Sequence, residues 1–263
     1  MTKRSRAARG FTLLELMISM AIFLVICAAM FTLLQLSQKR YSTESQLSGS
    51  FQEARLGIDQ IVRDINISGY PSRSLFSNPA SDASYAVSPF AWEPGYNGFN
   101  TNNSCQVTLN CNPTPTQFDL IVETDIGGTV SWIRYQLRNT TLYRAVVPKT
   151  GASPVNATSS ASVMIPFVEN VMNNVTDPLL AEIKAQDLNM FANGPVPLFQ
   201  YTCDTPSGPQ PCSSGAAANY NYPKNISDVD ITLIVKTPDV DMQTHSIQLM
   251  ELTGRGHKSN PSN

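Results

Sequence analysis

From Leu16 to Leu34 the chain runs nineteen residues with only Ser19 and Thr32 as polar interruptions, and no other stretch restricts its fold so strongly. At the helical rise of about 1.5 Å per residue the run is roughly 30 Å long, the thickness of a bilayer's hydrocarbon core. The leader before it, residues 1–10, includes Lys3, Arg4, Arg6 and Arg9 and no acid. The positive-inside rule therefore predicts a cytoplasmic N-terminus and an extracytoplasmic chain from about Gln35 onward. One carboxylate, Glu15, stands at the entrance to the run, where inserting an ionisable group costs on the order of 2.5–3.5 kcal/mol. Such a residue asks for a partner.

The stretch Arg9-Gly10-Phe11-Thr12-Leu13-Leu14-Glu15-Leu16-Met17 resembles the N-terminal signature of type IV prepilins and their type II secretion relatives. That signature is a short basic leader ending in Gly, then Phe-Thr-Leu-(Leu/Ile)-Glu. The resemblance implies that a prepilin peptidase cleaves between Gly10 and Phe11 on the cytoplasmic side and that Phe11 becomes N-methylated. It also implies that Glu15, fifth residue of the mature chain, pairs with the N-terminal amine of a neighbouring subunit. The residues suit those roles: Gly10 lets a protease approach its carbonyl, and a carboxylate in the first turn is favoured by the helix dipole. A secretory signal would need a small-x-small cleavage site, of which Cys27-Ala28-Ala29-Met30 is a weak version. A lipoprotein signal would place Gly, Ala or Ser before the cysteine, where Ile26 stands. A plain anchor explains neither Glu15 nor the Gly10-Phe11 junction.

The formal charge is −2, but the leader holds four of the eighteen basic residues, so the rest of the chain carries fourteen against twenty acids. A mildly acidic exported part has no electrostatic footprint for nucleic acid. Of five cysteines, Cys27 lies in the apolar run and Cys105, Cys111, Cys203 and Cys212 lie beyond it, where disulfides can form. Short loops close at low entropic cost, so the expected pairs are Cys105 with Cys111 and Cys203 with Cys212, among three possible connectivities. Zinc would ask for closer spacing and more histidine than His245 and His257 supply.

No proline occurs between the apolar run and Pro71. Leu47, Phe51, Ala54, Ile58, Ile61 and Ile65 recur at spacings of four and three, the stripe of an amphipathic helix, with Arg55, Asp59 and Arg63 on a solvated face. Gly69, Tyr70 and Pro71 give its stop. The spacing predicts one helix from Phe11 to Ser68. Its ending, Arg63-Asp64-Ile65-Asn66-Ile67-Ser68-Gly69-Tyr70, resembles that of W-type minor pilins and, less closely, of J-type pseudopilins. Thr32 stands where major pilins often carry a helix-loosening proline.

Beyond the helix, residues from Pro71 to Gln117 are rich in Ser, Asn, Pro and Gly with scattered aromatics (Phe76, Tyr85, Phe90, Trp92, Tyr96, Phe99), which reads as an ordered loop. Strands are expected at Phe118 to Thr124, at the hairpin Val130–Leu137 and Thr141–Val147, at Pro195 to Thr202, at Val229–Val235 and at Ser246–Leu252. In the first hairpin arm Ile133, Tyr135 and Leu137 alternate with Trp132, Arg134 and Gln136, which predicts one buried face. Val163 to Val175 stays unassigned and Pro178 to Ala192 reads as a short helix. The polar residues from Gly254 read as a disordered tail.

This organisation is an α+β fold in five parts: leader 1–10, membrane half of the helix 11–34, extracytoplasmic half 35–69, β-rich domain 70–253 and tail 254–263. No nucleophile elbow, phosphate loop or zinc-protease helix occurs, and no catalytic residue or cofactor is expected. Asp228, Asp230, Asp239 and Asp241 match no calcium-loop spacing and read as the wet face of a strand. The expectation is a non-catalytic minor pilin that meets a prepilin peptidase, other pilins and the membrane through Leu16 to Leu34, and no nucleic acid. A J-type secretion pseudopilin and an adhesin or DNA-uptake subunit are the alternatives.

Overall fold

A computed structural model describes residues 12–77, 82–96, 105–112, 116–150, 153–174, 190–217, 219–241 and 246–260. Helix α1 runs from Leu13 to Asn66. Thr12 starts it with a capping box: its hydroxyl accepts the Glu15 N–H at 3.3 Å while the Glu15 carboxylate accepts the Thr12 N–H at 3.1 Å. The helix stops two residues short of the predicted Ser68. Ile67 is the C-cap, and Gly69 beyond it takes φ +80°, a left-handed turn in which a side chain would be strained.

Among the described residues eight strands form two four-stranded sheets. The first is an antiparallel meander of β1 (Asp119–Ile126), β2 (Thr129–Arg138), β3 (Thr141–Pro148) and β4 (Ile165–Val168) in that order. Gly127 and Gly128, both at positive φ, make the tight β1–β2 hairpin. A four-residue helix, α2 (Pro154–Ala157), lies between β3 and β4. The second sheet has the order β6–β5–β7–β8, from β5 (Phe199–Thr205), β6 (Gly208–Pro211), β7 (Ile226–Lys236) and β8 (Leu249–His257). Just past β6 the Cys212 N–H reaches inward to the Tyr201 carbonyl, so Pro209 and Pro211 turn their donorless nitrogens outward and close that edge to further strands.

One face of α1 lies on both sheets. Its contacts are to β8 and β7 of the second and to β4 and β1 of the first. Close approach depends on small residues at the crossing. A Cβ on Gly57 would come within 2.6 Å of Val168, and one on Gly256 within 2.7 Å of Ile65. Gly254 likewise lies under Ile58. Along β8 toward the exposed half of α1 the side chains facing the helix grow, from Gly256 and Gly254 to Leu252 and Met250, which pack beside the core. Ala54, Ile58, Ile61 and Ile65 enter that core with Trp92, Trp132, Phe199 and Val229, Ile231 and Val235 of β7.

The structure corrects several expectations. Gly254 to His257 are strand, not tail, and Asn260 beyond them donates to the Ser68 carbonyl at 2.9 Å, closing the end of α1. Period-two reading missed this because Gly254 and Gly256 carry no apolar side chain to mark the buried face. Strand β2 is buried on both faces, because loop residues Tyr85 to Tyr96 and α2 cover the side that holds Trp132 and Arg134. Leu47 and Phe51, at the head of the apolar stripe, stay partly exposed. β5 begins at Phe199 rather than Pro195, and β4 occupies part of the unassigned Val163–Val175 stretch. Of the loop aromatics, Tyr85, Phe90, Trp92 and Tyr96 are buried, whereas Phe76 is exposed. Phe99, His245 and all but the end of the helix expected at Pro178–Ala192 fall outside the described residues; Met190 to Ala192 form a turn.

Candidate functional site

The first half of α1 is bare. From Leu13 to Leu36 every side chain is exposed, Phe23 at 63% and Val25 at 70%, in a helix long and apolar enough to cross a membrane. Glu15 lies on this half. Its carboxylate has an intrachain partner that the spacing alone did not point to, the Thr12 N–H and hydroxyl, both at 3.1 Å. Gly10 and Phe11 lie outside the described residues.

The second half is tied down at Asp64. Its Oδ2 accepts the Tyr135 hydroxyl at 2.5 Å and the Arg144 guanidinium at 2.9 Å, and its Oδ1 accepts the Gln60 amide at 2.7 Å. Burial, with the Asp64 charge added to it, pushes the Tyr135 phenol well above its ordinary range, so it stays a donor. The residues that follow each meet a strand or a loop. Asn66 accepts the His257 N–H at 2.9 Å, the Ile67 carbonyl accepts the Thr124 hydroxyl at 2.7 Å, and Gly69 donates to the Glu123 carbonyl at 2.7 Å. A Cβ on Gly69 would meet Pro89 at 2.8 Å. The Arg-Asp…Ser-Gly-Tyr ending is thus a knot that fastens the helix to β1, β2, β3 and β8.

A family described as the prokaryotic N-terminal methylation motif matches residues 5–31. The chain is type IV pilin-like at its N-terminus. Neither curated proteins nor solved structures give a significant match to it. The long apolar helix followed by antiparallel sheets is the α+β arrangement typical of pilins, and members that carry this motif are structural subunits processed by a prepilin peptidase and assembled with other pilins.

In this pilin-like chain Cys105 is joined to Cys111 and Cys203 to Cys212, all four buried, while Cys27 is a free thiol on the exposed half of α1. The second bridge staples β5 to the end of the β6 edge. Arg55, Asp59 and Arg63 lie exposed, as a solvated face should. Asp228 on β7 and Asp239 beyond its end meet side chains of the same chain. Asp228 accepts Arg255 at 3.3 Å and lies 3.0 Å from the His257 ring, and Asp239 accepts Gln46 at 3.1 Å. Among the described residues no three His, Cys, Asp or Glu side chains converge on a metal position.

Among the described residues three ion pairs with a buried carboxylate escaped the sequence reading. Besides Asp64–Arg144, Asp119 grips Arg134 at 2.7 Å and Glu123 holds Lys149 at 2.7 Å. Burial pushes the Asp119 carboxyl up to about 6 against the pull of Arg134, and pushes Glu123 up as well. The available signal was a basic residue inside an apolar strand: Arg134 in β2 and Arg144 in β3 interrupt runs that otherwise read as core.

Proposed function

We propose that this chain is a minor pilin, a non-catalytic subunit that enters a type IV pilus, near its tip or in a priming complex, after a prepilin peptidase cuts between Gly10 and Phe11 and Phe11 is N-methylated. The observation that carries the reading is the methylation motif at residues 5–31 on a helix whose exposed apolar half continues into one fastened to a β-rich domain. In this reading residues 1–10 are the leader, 11–34 span the inner membrane with the N-terminus cytoplasmic, 35–69 carry the helix outward, and the remainder is the exported domain. Glu15 is the assembly residue. The capping box already orients its carboxylate at the first turn, where a neighbour's Phe11 amine would find it. The resemblance of residues 62–70 to W-type endings favours the pilus over a secretion pseudopilus.

The test uses two substitutions. Gly10→Val is expected to insert but resist trimming, read as electrophoretic mobility with and without the peptidase; equal trimming would sink the junction. Glu15→Val is expected to be inserted and trimmed normally yet recovered poorly in sheared fibres, because removing one member of a buried pair costs about 3–5 kcal/mol. Recovery at the wild-type ratio of fibre to membrane would show that Glu15 does not direct assembly.

A further inference from the structure

Two of these ion pairs join a buried carboxylate to a guanidinium, which neither loses its proton nor acts as a nucleophile. The third differs. Lys149 supplies an amine, and its Nζ lies 2.7 Å from Oε1 of Glu123 with the two side chains 1% and 0% exposed. Glu123 is in the middle of β1 and Lys149 follows the end of β3, so the pair spans the central strand β2 at Trp132, which is opposite Glu123 in the register. The amine is aimed by a second bond, to the Tyr85 carbonyl at 3.1 Å.

Both carboxylate oxygens have fixed donors. Oε1 accepts the Val87 N–H at 3.2 Å. Oε2 accepts the Tyr96 hydroxyl at 2.7 Å, and that hydroxyl oxygen in turn accepts the Trp132 ring N–H at 3.2 Å. Burial favours the uncharged carboxyl at Glu123. A desolvated ion pair is costly, and joining its members covalently abolishes both charges. The arrangement contains an amine beside a carboxyl group, hydrogen bonds where negative charge would develop, and closure to bulk water.

We propose that Lys149 and Glu123 condense into an isopeptide bond that staples β1 to the end of β3. The ammonium passes one proton to Oε1, and the freed nitrogen lone pair attacks Cδ. Oε2 takes the displaced electron pair and is held as an oxyanion by the Tyr96 hydroxyl. The nitrogen then gives a second proton to Oε1, the Cδ–Oε1 bond breaks, and one water leaves. Oε2 remains as the amide carbonyl, still bonded to Tyr96. No oxidant or co-reactant enters, and the net charge of the protein is unchanged.

Peptide mapping of the full chain tests this. Protein purified in detergent micelles is reduced, alkylated and digested with trypsin, which cuts after Lys149 only while its amine is free. The expected product is a branched peptide joining the Glu123 and Lys149 segments, lighter than their sum by the mass of one water, with cleavage after Lys149 lost. Lys149→Met should give no branched product, and Tyr96→Phe, which keeps the ring but removes the donor to Oε2, should slow its accumulation tenfold or more. Complete cleavage after Lys149 in the folded wild-type chain, with no branched peptide, overturns the proposal.

Discussion

The two halves of α1 share one backbone but differ in where their apolar residues lie and in what surrounds them. Phe23 in the first half is 63% exposed, while Ile61 in the second is fully buried. The first half is apolar on every side, the second only along a stripe, with Arg55, Asp59 and Arg63 on its back. An all-round apolar helix asks for a uniform apolar solvent and a striped one for a flat partner. The change occurs without a break: no proline interrupts the helix, and its fastening begins with Gln46 on Asp239 and is complete at Gly69. One continuous rod thus couples a membrane-compatible segment rigidly to a β domain. Specific side chains hold the second half, whereas bulk apolarity alone suits the first.

The sharpest way to break that contrast is Asp64→Ala. It leaves Arg144 and Tyr135 without their shared acceptor beneath the helix, and removing one member of a buried pair costs about 3–5 kcal/mol. Because Arg144 keeps 24% of its side chain in solvent, the low end, about 3 kcal/mol, is expected. Urea unfolding of the detergent-held chain, followed through tryptophan fluorescence, reads it. Val25→Ser in the bare half should leave the same midpoint unmoved. Equal midpoints for wild type and Asp64→Ala would show that packing alone holds the second half.

Next in size is Gly256→Ala. The added Cβ would lie 2.7 Å from Cγ2 and 2.8 Å from Cβ of Ile65, and Ile65 is itself fully buried, so helix and strand must separate. Overpacking of this kind costs about 1–3 kcal/mol. Adding Ile65→Val, which trims the opposing side chain, should recover part of the loss. Two losses that merely add would place the strain elsewhere than at this crossing.

The contrast between the halves also marks how far the sequence could be read. The bare half was legible residue by residue, because one property, apolarity over nineteen positions, decides it. The stripe and both ends of the β1–β2–β3 meander were legible for a similar reason, since period and turn residues act locally. What escaped was chosen by neighbours far along the chain. Gly254 looks like a break in a strand until Ile58 is seen above it, and Lys149 looks like the end of a hairpin until Glu123 is found two strands away. Asp64 was noticed as part of a signature, but its partners at Tyr135 and Arg144 lie more than seventy positions on. Polar residues that fasten one element to another carry no period, so only the fold reveals them.

The smallest effect on stability is the one that separates the second half's two faces. Leu56 is 70% exposed, between the buried Ala54 and Gly57, and touches none of the core. Leu56→Gln keeps helix propensity nearly constant and removes little burial, so the unfolding midpoint should stay within about 0.5 kcal/mol of wild type. Isolated exposed leucines are ordinary, so its exposure alone assigns no role. In the proposed fibre, however, the back of this half faces either solvent or a neighbouring subunit, and the substitution distinguishes them. If a neighbour covers Leu56, full burial of such a side chain is worth roughly 1.5–3 kcal/mol, and recovery in sheared fibres should fall several-fold while membrane levels hold. Recovery at the wild-type ratio would place the back face in water, leaving subunit contacts on this helix to its bare half. The two halves would then differ not only in what they touch within one chain but in whether they take part in assembly at all.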